Sequence, residues 1–320
     1  MAWCTIRRMN KLTRKEFLGG VLMASANLPM VAALPARAGV PTGEKVKPKE
    51  IEIVAGASKP FSVLHVSDTH LTAVYPHEDK WKQEMARADT PIFGAKQEEA
   101  LAESIAYAKR QCDFLLHTGD LIDFVSSANL DVVKRHLPAG CIGALGNHEY
   151  SHYGWLVKKA GTAGPGREET RKMLSAYYPF RLPLAAKELN GVVFVALDDA
   201  DGTVSAELVA EFRRIAAQGK PIILCMHVPF YTPGICRAGK RWWQKGTDEA
   251  DPELKLPDFQ RQKSDPTTRD FIEYLRGEAR LKGILSGHLH MFAEDHFSPT
   301  AIQYVAAGNF SFKAHKVKVS

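Results

Sequence analysis

Short groups of Asp, His and Asn recur along the chain, and each group directly follows an apolar run. Carboxylate, imidazole and amide side chains together are ligands that divalent metals such as Mn, Fe or Zn accept. Any one group alone has an ordinary explanation, such as a turn, a helix cap or a buried histidine. Five groups in succession point instead to one shared metal site. Their members are Asp68 and His70; Asp120; Asn147 and His148; His227; and His288 and His290.

This number of ligands fits a pair of metal ions. Two metals about 3.5–4 Å apart can clamp the attacking and leaving oxygens of an in-line displacement, and they lower the pKa of a bound water. Asp120 is the natural bridging ligand because a carboxylate carries two oxygens. A structural zinc site is disfavoured, since the sequence contains no CxxC pair.

The elements that must position these groups alternate between strands and helices. Apolar, strand-like runs that end in polar residues lie at 61–70, 113–120, 141–149, 191–199, 221–227, 282–288 and 301–310. Helical patterns lie at 95–111, 129–137, 205–219 and 266–279. The alternation predicts a largely parallel sheet flanked by helices, with ligands bound at the carboxyl ends of the strands. Residues 72–94 and 230–265 lack clear periodicity, and loops of that length are usually functional or mobile.

The first 38 residues have the composition of an export signal. A basic stretch precedes an uncharged run from Phe17 to Leu34, and Ala36–Arg37–Ala38 forms a small-x-small cleavage site. Residues 13–18 resemble the twin-arginine signal, with Lys15 in place of the second arginine. The leader predicts export to the bacterial periplasm, with no membrane span left after cleavage. An uncleaved anchor helix is the alternative, because the uncharged run is near the length that spans a bilayer.

The net charge of +6 is concentrated in that leader. Residues 1–38 contain six basic residues and one acidic residue, so the rest of the chain is nearly neutral. A protein that binds the phosphate backbone of nucleic acid needs a basic stripe on its surface. A nearly neutral body does not provide one, so nucleic acid is excluded as a partner bound through its backbone. Residues 39–50 are polar and are expected to be a linker, and residues 51–320 are expected to form a single domain.

Five motifs in the chain resemble those of the calcineurin-like metallophosphoesterases. They are DTH at 68–70, GDLID at 119–123, GNHE at 146–149, MH at 226–227 and GHLH at 287–290. The resemblance covers roughly residues 55–310. It implies a four-layer α/β/β/α sandwich with two divalent metal ions (Mn, Fe or Zn). It also implies a small-molecule phosphate ester as substrate, attacked at phosphorus by water or hydroxide held between the metals.

The resemblance further implies a role for each residue. One metal would be held by Asp68, His70, Asp120 and His290, and the other by Asp120, Asn147, His227 and His288. His148 would protonate the leaving oxygen, and Asp123 would orient His148. Purple acid phosphatases carry a tyrosine at the position of Asp123, and protein Ser/Thr phosphatases have Arg-Gly in place of Phe124 and Val125, so both branches are disfavoured. Phosphomonoesterase and phosphodiesterase activities remain open, as does a non-catalytic metal-binding scaffold.

A basic and aromatic segment, residues 236–248, follows the fourth group. It contains four candidate substrate-binding residues: Arg237, Lys240, Arg241 and Trp242. Basic side chains bind phosphate oxygens and an aromatic ring can stack on an organic group, which makes the segment a candidate substrate lid. The alternative is a solvated basic loop. Asp198 and Asp199 end another strand at the same edge and are expected either to support the site or to begin a helix.

Overall fold

Two mixed β-sheets form the centre of the protein in the computed structural model, which describes residues 41–150, 166–243 and 265–320. The predicted export signal at 1–38 lies outside the described residues, as does the end of the predicted lid, 244–248. Within the described part of the chain, no helix is long and apolar enough to cross a membrane.

The first sheet has five strands: β1 (Lys47–Ile53), β2 (Phe61–Val66), β3 (Phe114–Thr118), β4 (Ile142–Ala144) and β11 (Lys313–Val319). Their order across the sheet is β1-β11-β2-β3-β4. β2, β3 and β4 are parallel neighbours, so their carboxyl ends lie at the same edge. β11 runs antiparallel to β2 and parallel to β1.

The second sheet has six strands: β5 (Leu184–Leu189), β6 (Val192–Leu197), β7 (Ile222–Cys225), β8 (Leu281–Ser286), β9 (Ala293–Ser298) and β10 (Ala301–Val305). Their order is β5-β6-β7-β8-β10-β9. β6, β7, β8 and β10 are parallel to one another, and the two edge strands β5 and β9 run antiparallel to them.

The described helices are α1 (Lys80–Asp89), α2 (Gln97–Gln111), α3 (Ser127–His136), α4 (Arg167–Leu174), α5 (Ala206–Ala216), α6 (Pro233–Trp243) and α7 (Pro266–Gly277). Three of them begin at a capping side chain that accepts a hydrogen bond from a main-chain N–H of the first turn. These caps are Ser126, Ser205 and Asp265. Short 3₁₀ turns lie at His148–Tyr150 and Asn309–Ser311.

Alternation of side chains along the strands builds four layers. In β6, Val193 and Val195 belong to one apolar cluster with residues of α5 and α7, whereas Phe194 belongs to another cluster with residues of the first sheet. The ring of Phe194 lies 6.1 Å from that of Phe61 and 5.0 Å from that of Phe114. α2 packs against β2 and β3. The expected α/β/β/α sandwich is therefore confirmed.

Several expectations for individual elements were wrong. The alternation of strands and helices predicted a largely parallel sheet, whereas the strands belong to two mixed sheets. The end of a strand looks the same in the sequence whichever sheet contains the strand. Residues 47–50 of the expected linker belong to β1, and 301–310 is not the last strand, since β11 follows it. β1 and β11 alternate charged and apolar residues, so neither contains an apolar run. The two segments without clear periodicity, 72–94 and 230–265, contain α1 and α6.

Candidate metal centre

The five polar groups converge where the carboxyl ends of the parallel strands of both sheets meet. Those after β2, β3 and β4 come from the first sheet, and those after β7 and β8 come from the second. Three groups of potential metal donors result. Two of them, the first and second clusters, share Asp120, and the third consists of His70, Asp123 and His148.

The first cluster brings together the four residues predicted for the first metal: Asp68, His70, Asp120 and His290. One donor atom from each lies within 4.8 Å of the others. His70 Nε2 is 3.0 Å from His290 Nε2 and 3.7 Å from Asp120 Oδ2. His290 Nε2 is 3.3 Å from Asp68 Oδ1. Three of the four side chains are buried, and His290 is partly exposed.

The second cluster is centred on His227, which is fully buried. Its Nε2 atom lies 3.2 Å from Asp120 Oδ2, 3.2 Å from Asn147 Oδ1 and 3.2 Å from His288 Nδ1. These are the four residues predicted for the second metal. Asp120 Oδ2 thus faces both clusters.

Hydrogen bonds on the far side of two rings determine which nitrogen faces the clusters. His70 Nδ1 donates to Asp123 Oδ1 at 2.9 Å, and His227 Nδ1 donates to the main-chain oxygen of Thr118 at 2.8 Å. A neutral ring that donates through Nδ1 carries its lone pair on Nε2. Each ring, once it has lost its second proton, therefore presents a lone pair toward its cluster, as metal ligation requires.

The charge of the centre also suits cations. Asp68, Asp120 and Asp123 are buried, and among the described residues their ion pairs are all with histidines. Burial disfavours the charged form of His227, but the charge of Asp120 outweighs this and raises the pKa of His227 to about 10. Buried carboxylates need compensating positive charge. Together with the donor types, this shows that the two clusters could hold metal ions.

The backbone at the centre adopts an unusual conformation. Five non-glycine residues of the centre have φ between 51° and 69°, a region that costs of order 1–3 kcal/mol per residue and is concentrated at functional sites. They are Asp68, His70, Asp120, His288 and His290. Gly287 precedes the paired histidines because the chain passes too close to the loop after β2 for a side chain to fit. A Cβ atom there would lie 1.8 Å from Ser67 Oγ.

His148 lies beside the first cluster, with its ring 4.6 Å from that of His70 and its side chain 27% exposed. Its Nδ1 donates to the main-chain oxygen of Asp123 at 2.8 Å and lies 2.9 Å from Asp123 Oδ1. Burial disfavours protonation, but Asp120 and Asp123 together hold the pKa of His148 well above its ordinary value. Asp123 was predicted to orient His148, and its carboxylate also accepts from His70.

Glu149 is a carboxylate to which the sequence assigned no role, although it is the last residue of the GNHE motif. It is fully buried, and burial, followed by the charge of Asp120, raises its pKa to about 7. Its two oxygens join the loop after β3 to the loop after β4. Its donors are the main-chain N–H groups of Asp120, Leu121, Ile122 and Gly146 and the hydroxyl of Tyr178.

Asp199 supports the second cluster from the end of β6. Its Oδ1 accepts from the main-chain N–H of His227 at 2.7 Å, and its Oδ2 accepts from that of Val228 at 3.1 Å. Asp198 instead accepts from Arg167 at 2.9 Å and from the hydroxyl of Tyr150, which lies two residues after His148. Asp198 and Asp199, at the end of β6, therefore support two neighbouring segments: the turn that contains Tyr150 and the loop that contains His227.

The four predicted substrate-binding residues lie on α6 and are not part of either cluster. Arg237, Arg241 and Trp242 are exposed, and Lys240 is half-buried. α6 does adjoin the centre, because Ile235 packs with Leu289, the residue between the paired histidines. A role of these four side chains in substrate binding remains a prediction.

Comparisons with solved structures return distant similarities. A dimetal phosphatase from Danio rerio is 12% identical, with a TM-score of 0.47 and coverage of 78% of this chain and 88% of the other. A purple acid phosphatase from Lupinus luteus is 13% identical, with a TM-score of 0.42 and coverage of 79% and 45%. A 5'-nucleotidase precursor from Thermus thermophilus is 14% identical, with a TM-score of 0.38 and coverage of 78% and 48%. No curated protein sequence matches the chain.

The family comparison is decisive. The model of the calcineurin-like phosphoesterases matches residues 61–292, more than half of the chain. The matched range includes every residue of both clusters. The chain therefore belongs to the calcineurin-like phosphoesterase family, whose members are metal-dependent enzymes that hydrolyse phosphate esters.

Proposed function

We propose that this protein hydrolyses small-molecule phosphate esters at a centre of two divalent metal ions. Asp68, His70, Asp120 and His290 would hold the first ion, and Asp120, Asn147, His227 and His288 the second. One observation carries the proposal. Asp120 Oδ2 lies 3.7 Å from His70 Nε2 and 3.2 Å from His227 Nε2, so a single carboxylate oxygen serves both donor sets.

When bound, two divalent ions (Mn, Fe or Zn) would offset the charge of the phosphate oxygens and lower the pKa of an attacking water. His148 supplies the proton for the departing alcohol oxygen. Three features fit it for this role: it is partly exposed beside the clusters, its pKa is raised, and Asp123 holds its Nδ1 atom. Nε2 is then the nitrogen left to transfer a proton. Asp120 Oδ1 also accepts a hydrogen bond from the main-chain N–H of His148 at 2.9 Å, which links the backbone of His148 to a metal ligand.

The composition of residues 1–38 supports export of the protein to the bacterial periplasm, where this activity would take place. Phosphate esters outside the cytoplasm would then be the accessible substrates. The choice between monoesters and diesters is left to the experiment.

The test uses purified protein stripped of metal by a chelator and resupplied with Mn²⁺, Fe²⁺, Zn²⁺ or Mg²⁺. Its substrates are p-nitrophenyl phosphate and bis-p-nitrophenyl phosphate, whose relative rates separate monoesterase from diesterase. We expect no hydrolysis without metal and two ions per chain at saturation. A folded protein that takes up no divalent ion would overturn the proposal.

His148→Ala tests the proton donor. We expect this variant to retain both ions and to lose about 10²–10⁴-fold in rate, the usual contribution of a general acid. Asp120→Ala should lose metal and activity together. His136→Ala is the matched control, because His136 hydrogen-bonds to Glu98 at 2.8 Å, outside both clusters, and should keep the parent rate. Loss of metal from His148→Ala would contradict the assigned role.

A further inference from the structure

The turn after α1 brings one buried aromatic ring to the first cluster. Of residues 87–96, Phe93 alone is buried. Its ring lies flat against that of His70, with centroids 4.2 Å apart and planes 7° apart. None of the five motifs includes Phe93, which lies in the segment where the sequence shows no clear periodicity.

Phe93 completes the surroundings of His70. Asp123 fixes Nδ1 of that ring, and the rings of His148 and His290 meet it edge-on, at 4.6 and 4.9 Å. The stacked ring covers one face, excludes water from it and opposes rotation of the imidazole about its bond to Cβ. Phe310 supports this arrangement, at 5.2 Å from Phe93 and 5.3 Å from His290.

The turn is attached to the same loop that carries His70. Thr90 Oγ1 is 2.6 Å from Oγ1 of Thr72, and Gln97 Nε2 donates to that oxygen at 3.2 Å. Within α1 only Ala86 is buried, and residues 81–85 are half-buried. Low burial of this kind marks the less stable parts of a fold. The segment is thus anchored at its C-terminal turn, where Phe93 enters the centre.

We propose that Phe93 is a positioning residue for His70: its ring holds the imidazole in the plane in which Nε2 faces the first cluster. The inference rests on the metal sites of the proposed function and not on the ester that is hydrolysed. Groups that orient ligand histidines contribute about 10–100-fold to metal affinity. Since Phe93 contacts a histidine of the first cluster only, its loss should affect one site of the two.

The experiment is calorimetric titration of the chelator-treated full chain with Mn²⁺ alone. The parent should bind two ions. Phe93→Ala should weaken one site about 10–100-fold and leave the other near the parent value. Phe93→Leu, which keeps apolar volume without a flat ring, should behave in the same way and carries the test if the alanine variant does not fold. Phe93→Tyr keeps the flat ring and should restore the parent affinity.

Phe114→Leu is the matched control. Phe114 is 7% exposed against 9% for Phe93, and it packs on Phe194 between the sheets. It should leave both sites unchanged. The inference is overturned if the Phe93 variants bind both ions like the parent, or if they and Phe114→Leu weaken both sites equally. A parent that binds no Mn²⁺ overturns it together with the proposed function, whereas a parent that binds two ions but hydrolyses no ester refutes only the latter.

Discussion

Glu149 offers a direct test of how the centre is held together. Its Oε2 accepts from the N–H groups of Asp120 and Gly146 at 2.9 and 2.7 Å, and its Oε1 accepts from those of Leu121 and Ile122 at 2.7 and 3.3 Å. Glu149→Gln replaces one of these oxygens by an amide NH₂, which cannot accept. Whichever oxygen is replaced, two buried main-chain N–H groups lose their acceptor.

The size of the effect follows from that count. A buried donor left without a partner costs about 1–3 kcal/mol, so two cost about 2–6 kcal/mol. A second effect opposes this loss. Burial and the charge of Asp120 raise the pKa of Glu149 to about 7, so the parent carries the cost of a buried charge that glutamine removes. We therefore expect the free energy of unfolding to fall by about 2 kcal/mol, the lower end of the range. At an unfolding entropy of about 2.1 cal/mol/K per residue, that corresponds to a Tm lower by about 3–4 °C for a chain of this length.

The measurement is thermal unfolding of the chelator-treated protein, followed by circular dichroism. Glu103→Gln is the control. Glu103 is also buried, but its carboxylate accepts from one described main-chain N–H, that of Gly43, and the glutamine carbonyl oxygen can retain this bond. Its Tm should stay near the parent value. If Glu149→Gln and Glu103→Gln unfold at the same temperature, the carboxylate of Glu149 does not join the two loops as described.

Two further predictions concern other carboxylates. Asp199→Asn removes an acceptor from the N–H of His227 or Val228, so calorimetry should show the second Mn²⁺ site weakened about 10–100-fold and the first unchanged; the opposite pattern would contradict the role of Asp199. The hydrogen bond from Arg280 lowers the pKa of Glu278 to about 2 from its ordinary 4.5. The stability from this pair is therefore present above pH 4.5 and lost as the pH falls toward 2. Glu278→Gln should flatten the decline of Tm in that range, and a profile identical to the parent would rule out this contribution.

The residues of the centre were predictable because their signal is local. Asp68, Asp120 and His227 each follow an apolar run of strand length. A polar residue at the end of such a run can be recognised without knowing the rest of the fold. The existence of two sheets was not predictable in this way. A strand exit has the same appearance in either sheet, and the charged alternation of β1 and β11 hid two of the strands that complete the first sheet.

The supporting residues depend on contacts that leave no trace in the sequence. The bonds of Glu149 are to main-chain N–H groups, which every non-proline residue has, so the sequence cannot show which of them it accepts. Phe93 lies 23 positions after His70 in a polar, weakly patterned segment. Its stacking arises because the turn after α1 folds back onto the loop at Thr72, a tertiary contact without a periodic signal.

Each donor cluster takes side chains from both sheets. The first joins residues after β2 and β3 to His290, which follows β8, and the second joins Asp120 and Asn147 to His227 and His288. Each ion would thus act as a cross-link between the two halves of the sandwich, and neither half contains a complete site. Metal uptake would report that the halves have assembled, and removing the ions would take away two cross-links at once.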